Sequence, residues 1–129
     1  SLDELDELIH QSGLMAPAFR IVMDGNQAPQ QSYTVDNIPW RTGAVSGFIE
    51  REHVRKLMAE GGTFVMESCQ RIHPKIGQLS RSFEQVFHCP SPVNLYVTPP
   101  AAQGFQPHFD VQNVFVLQLH GTKKWRIFQ

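Results

Sequence analysis

His108 and Asp110 stand two residues apart, and on an extended backbone residues i and i+2 leave the same face. An imidazole and a carboxylate side by side are donors for one divalent metal. With a second histidine from a distant strand they would complete the facial triad of non-haem Fe(II) oxygenases. Spacing alone says little. With six histidines and 12 acids in 129 residues, one His-x-acid pair is what chance delivers, and a His–Asp hydrogen bond at a strand end is the plain alternative. His10, His53, His73 and His88 fall on helices or their edges and His120 in a turn, so none of them is expected as a ligand. Cys69 and Cys89 form no C-x-x-C pair and no catalytic pattern with a histidine; both are expected to stay reduced, as in a cytoplasmic protein.

The elements around this pair must place it. Val93 to Thr98 alternates, with Asn94, Tyr96 and Thr98 on one side and Leu95 and Val97 on the other. Pro99-Pro100 breaks that strand, and residues 101–107 form a loop containing Gly104. After His108-Phe109-Asp110, Val114 to Leu119 reads as a second strand. A turn at His120-Gly121-Thr122 leads into a return strand, Lys123 to Phe128, so a β-hairpin is expected. Lys123, Trp125 and Ile127 share one face of the return strand. A lysine turned inward there needs an anionic partner; turned outward it is simply solvated, as Lys124 on the opposite face is expected to be.

Upstream the pattern is helical with short strands. Ser1 and Glu4 fit a capping box, and Leu2, Leu5, Leu8 and Ile9 form an apolar stripe, which predicts a helix over 1–11. Phe19 to Met23 reads as a strand closed by the turn Asp24-Gly25-Asn26. Residues 26–47 are polar with two prolines and predict surface loop. A helix is expected over 48–60, ended by Gly61-Gly62, and then a buried strand over 63–67. Pro74 suits the first turn of a third helix, whose stripe is Ile76, Leu79, Phe83, Val86 and Phe87; Pro90 and Pro92 close it.

Composition narrows the classes. Apolar residues make up 41% and charged residues 18% of the chain, which argues for a globular domain and against disorder. The formal charge of −1 leaves no basic footprint and argues against direct nucleic-acid binding. No apolar run approaches the roughly 20 residues that span a bilayer, so no membrane segment is expected.

Taken in order, Asn94-Leu95-Tyr96-Val97-Thr98-Pro99-Pro100, Gln103-Gly104-Phe105, His108-Phe109-Asp110, the apolar run from Val114 to Leu119 and Gly121-Thr122-Lys123-Lys124-Trp125 resemble one family. They are similar to the JmjC-type cupin oxygenases, in the ribosomal-oxygenase branch. The resemblance runs without a gap from Asn94 to the end of the chain and is much less specific before it. It implies a mainly β fold with N-terminal helices (α+β), in which 1–92 is the helical region with flanking strands. Residues 93–129 would then be the first strands of a double-stranded β-helix, the cupin or jelly-roll barrel, incomplete in this chain. It also implies Fe(II), 2-oxoglutarate as cosubstrate and O2. By resemblance His108 and Asp110 are iron ligands, Lys123 pairs with the distal carboxylate of 2-oxoglutarate, and Asn94 and Tyr96 contact the cosubstrate or sit beside the metal. No acid–base catalytic side chain is required.

The resemblance further implies an oxygenase that hydroxylates a protein side chain, an Arg or His of a ribosomal protein, with a protein or peptide as partner. Homodimerisation stays open. The second histidine of the triad is expected beyond Gln129, so the chain is read as the front part of a longer protein. Two alternatives remain at this point. The same chemistry could act on a small molecule or a modified nucleotide, or the chain could be a non-catalytic cupin-like binding module.

Overall fold

The computed structural model describes residues 2–11 and 13–128. The centre of the fold is one strand, Thr63–Met66 (β7, the seventh in the chain), whose four residues are all buried. It pairs antiparallel on one side with Phe19–Met23 (β1) and on the other with Leu95–Val97 (β8). Asn26–Gln27 (β2) adds to β1 through a tight turn, giving a four-stranded antiparallel sheet in the order β2-β1-β7-β8. The register sets Ile21 opposite Phe64 and Phe19 opposite Met66, and these four side chains form the core with Leu14, Ala28, Tyr33, Val54 and Cys69. Phe19 meets Tyr33 edge-on at 5.5 Å and stacks on Phe64 at 5.9 Å, geometries that aromatic quadrupoles favour.

Three α-helices are found among the described residues. The first, Leu2–Gln11 (α1), carries Ile9 half-buried against the core; Ser1 of the expected capping box and the side chains of Leu2, Leu5 and Leu8 lie outside the described residues. The second, Arg51–Ala59 (α2), buries Val54. Gly61-Gly62 follows its end, and a Cβ on Gly62 would come within 2.8 Å of the Leu57 carbonyl oxygen and 2.9 Å of Ile21. The third, Pro74–Phe87 (α3), starts at the proline as expected, with His73 Nδ1 accepting from the Ile76 amide, and stops at His88 in the left-handed region.

Four expectations need correcting. Residues 26–47 are not plain loop: Thr34–Val35 (β3), Ile38–Trp40 (β4) and Gly43–Val45 (β5) form short ladders, and Pro39 is tolerated because β4 pairs only with β5. The second helix begins at Arg51, because Phe48–Ile49 (β6) is held extended by β3 and by a bridge from Met15. The α3 stripe is only partly covered: Gly77 and Ser80 face inward, while Leu79, Val86 and Phe87 are exposed. The hairpin over 114–128 is not formed. A lone two-stranded ribbon is marginal in water, and among the described residues no strand pairs with this segment; Phe115 packs against Phe83 and Phe87 of α3 at 5.2 and 5.1 Å. The fold is therefore mixed helix and antiparallel sheet, with no closed barrel among the described residues.

Two outcomes follow for the core. Phe64→Ala is expected to cost about 3–5 kcal/mol, read as a lower urea midpoint. Burial pushes the Cys69 thiol up, against smaller opposing hydrogen bonds from the backbone, whereas Cys89 is exposed. In mildly alkaline buffer a thiol reagent should label Cys89 promptly and Cys69 only on unfolding. Because the folded value of Cys69 lies above the unfolded one, the stability it contributes is full below the ordinary thiol value. It is lost as pH climbs from there through the raised folded value, and Cys69→Ala should flatten that decline.

Candidate metal and cosubstrate site

Beyond β8 the chain turns back at Pro99-Pro100 and crosses the end of β7. Thr63, fully buried, donates its hydroxyl to Thr98 Oγ1 at 3.1 Å. Gly104 packs on that pair so closely that a Cβ there would lie 3.1 Å from Thr63 Oγ1. The loop is thus pinned by a buried polar contact that needs its partner. The Gln103 side chain donates to the Phe105 carbonyl at 3.0 Å.

Phe105 then organises the exposed surface. Its ring meets Tyr96 edge-on at 5.7 Å and the His108 imidazole at 5.7 Å. Lys123 Nζ lies 5.9 Å from the Tyr96 ring and 5.7 Å from the Trp125 ring, a cation–π arrangement. The structure therefore brings together Tyr96, His108 and Lys123, three of the five residues singled out in the sequence. Lys123 is exposed and lies across aromatic faces instead of pointing into a closed pocket. Asp110 is exposed two residues beyond His108, where the backbone is irregular.

Asn94 is drawn elsewhere. Its Oδ1 accepts from the Ser68 amide at 3.1 Å, and Ser68 holds a left-handed φ of 53°, so this side chain stabilises the turn that follows β7. A cavity of about 410 Å³ opens between the β1–β2 turn, the end of α2 and the Pro100–Gln103 loop; none of the five residues lines it.

For the metal, no group of three His, Cys, Asp or Glu converges among the described residues. Two donors do suit ferrous iron in kind. A carbonyl can only accept, so the 2.7 Å contact between His108 Nδ1 and the Gln106 carbonyl fits a neutral ring with its proton on Nδ1, the tautomer that keeps the Nε2 lone pair. The Asp110 carboxylate adds an oxygen donor, and imidazole with carboxylate is the donor pair that non-haem iron takes. Sequence reading did not single out Phe105, Gln106 or Thr63 as site residues. The signals were the lone Gly104, which marks close backbone approach, and an aromatic between the two halves of the loop.

Residues 66–129 match the JmjC domain. Among curated proteins the chain is similar to the bifunctional lysine-specific demethylase and histidyl-hydroxylase NO66 of several organisms. It is 46% identical to the Drosophila mojavensis protein over 55 residues, which are 43% of this chain and 6% of that protein. It is 38% identical to the Aedes aegypti protein over 69 residues, 54% of this chain and 11% of that one. It is 37% identical to the Dictyostelium discoideum protein over 76 residues, 59% and 15%. The chain thus spans a small part of the length of these relatives. No solved structure matches it. These matches bear out the resemblance to JmjC-type oxygenases of the ribosomal-oxygenase branch.

If Asn94 acts through the Ser68 turn, Asn94→Ala should lower stability by about 1 kcal/mol. Asn94→Asp, which keeps the acceptor, should lose much less, as read by thermal unfolding.

Proposed function

We propose, on the premise that residues 66–129 are JmjC-type sequence, that this chain forms part of an Fe(II)- and 2-oxoglutarate-dependent oxygenase that hydroxylates a protein side chain. Its strands after residue 92 would enter a cupin double-stranded β-helix. The observation that carries the reading is a chain of contacts that runs from His108 through Phe105 to Tyr96 and on to Lys123. They come from β8, the loop after it and the segment beyond Asp110, and the resemblance assigns all three to one site.

His108, through the Nε2 lone pair, and Asp110 would hold the iron, with a third protein ligand from elsewhere in the parent protein. When bound, iron and 2-oxoglutarate supply the oxidising chemistry: the cosubstrate loses CO2 to become succinate, one atom of O2 entering succinate and the other a substrate C–H bond. Lys123 would pair its ammonium with the distal carboxylate. Its present hold on Tyr96 and Trp125 is worth about 0.5–1 kcal/mol at an exposed site, and a charge-assisted bond to a carboxylate is stronger. Tyr96 would wall the pocket beside the metal. The chain itself contributes binding, orientation and exclusion of water.

The substrate proposed is a His or Arg side chain of a ribosomal protein. The names of the relatives add lysine demethylation as a neighbouring possibility for the same site, so peptides bearing histidine, arginine and methyl-lysine belong in one assay. The full-length protein supplied with Fe(II) and labelled 2-oxoglutarate should release succinate, most strongly with its true peptide class. His108→Ala and Asp110→Ala should each lower turnover by more than the about 10–100-fold typical of outer-shell partners. Lys123→Ala should raise the KM for 2-oxoglutarate while leaving iron affinity near wild type. Absence of succinate above background with every substrate class would refute the enzyme and favour a non-catalytic binding module.

A further inference from the structure

A metal-binding imidazole works only if the correct nitrogen is free and aimed, and this is set by what the other nitrogen bonds. Here the other nitrogen bonds the backbone carbonyl of Gln106, at 2.7 Å. Gln106 is in turn anchored at long range. Its side-chain amide donates to the Asp24 carbonyl at 3.3 Å, across 82 positions of sequence. That carbonyl also receives the Asn26 side chain at 3.4 Å.

The turn it docks on is shaped for this contact. Asp24 and Gly25 have φ values of 49° and 81°, the two left-handed residues of a type I′ hairpin loop. Gln106 lies directly over the bare Cα of Gly25, where a Cβ would fall 2.5 Å from Gln106 Cγ. Glycine at 25 thus serves two ends: it permits the backbone conformation, and it clears the seat for Gln106.

We propose that Gln106 is a positioning residue for the metal site, tying the β1–β2 turn to the His108 ring so that His108 is kept with its proton on Nδ1 and Nε2 free for the metal. The proposal deepens the iron-site reading and rests on it. It assigns a role in the site to Asp24 and Gly25, both of which lie outside the segment that matches the JmjC domain.

The test uses the full-length, metal-free protein and two variants. Gln106→Met keeps the length of the side chain and removes its donor, at an exposed position where folding is not at risk. Gly25→Ala fills the seat. Nitrogen-15 spectra of the neutral His108 ring should show the Nδ1–H form in wild type. In Gln106→Met they should show a shift toward the Nε2–H form that free imidazole prefers, with the thermal midpoint unchanged. Titration with Mn(II) alone should show affinity about 3- to 10-fold weaker in both variants, at or below the low end for outer-shell partners. An Nε2–H ring in wild type, or wild-type tautomer and Mn(II) affinity in Gln106→Met, would overturn the positioning role. His108→Ala run in parallel separates the two readings: if it binds Mn(II) as tightly as wild type, the iron-site assignment itself fails, whatever the tautomer shows.

Discussion

Strand β7 is the constraint on which everything else in the molecule depends. All four of its residues are buried, and both of its edges are occupied, by β1 and β8. A strand covered on both faces and paired on both sides has no tolerance for a slip, because a one-residue shift would exchange the sets of side chains facing each way. The pairing with β8 sets Val65 opposite Tyr96, so the position of the aromatic wall of the site is fixed by the core itself. The first residue of the strand, Thr63, brings a hydroxyl into the interior. That hydroxyl has to be satisfied, and Thr98 satisfies it.

What could be read from the sequence follows from this geometry. The largely apolar run of 63–66, the alternation along 93–98 and the proline at the start of α3 each report a local environment; each element is found there, the two strands shortened to Thr63–Met66 and Leu95–Val97. Tyr96 does leave the outer side of β8, with Leu95 and Val97 inward, while Asn94, just before the strand, turns to Ser68. Thr98 departs from the alternation because its hydroxyl turns in to meet Thr63, a tertiary demand that no period-two pattern contains. The short ladders among residues 34–49 were illegible for a related reason. Two-residue strands such as β3 and β6 carry almost no periodic signal and exist because they find each other.

The segment after Asp110 is the reverse case: its pattern is plain and its structure is absent. Val114 to Leu119 and Lys123 to Phe128 have the composition of strands, yet they are exposed and unpaired. Strand pairing needs a neighbour, and β8, the nearest edge, is used only on its β7 side. Of the apolar side chains of the segment, Phe115 packs against the aromatic end of α3. The unmatched pattern and the exposed α3 face are two halves of one fact: both present apolar surface beyond what a monomeric soluble surface ordinarily leaves uncovered.

The candidate site inherits its order from the sheet through a loop without regular structure. No helix or strand carries His108 or Asp110, so their orientation has to come from side-chain and backbone contacts made just before them. The loop is held at Gly104, by the buried threonine pair, and at Gln106, by the β1–β2 turn. Those two points bracket Phe105, and a residue fixed on both sides has little freedom to move its ring. Phe105 is therefore presented edge-on to Tyr96 and alongside His108, and Lys123 lies over the Tyr96 ring. The His108-Phe109-Asp110 segment alone cannot supply this order. It comes from Thr63, Asp24 and Gly25, residues that precede the JmjC match, so the helical N-terminal half and the motif-bearing half are one structural unit around the site.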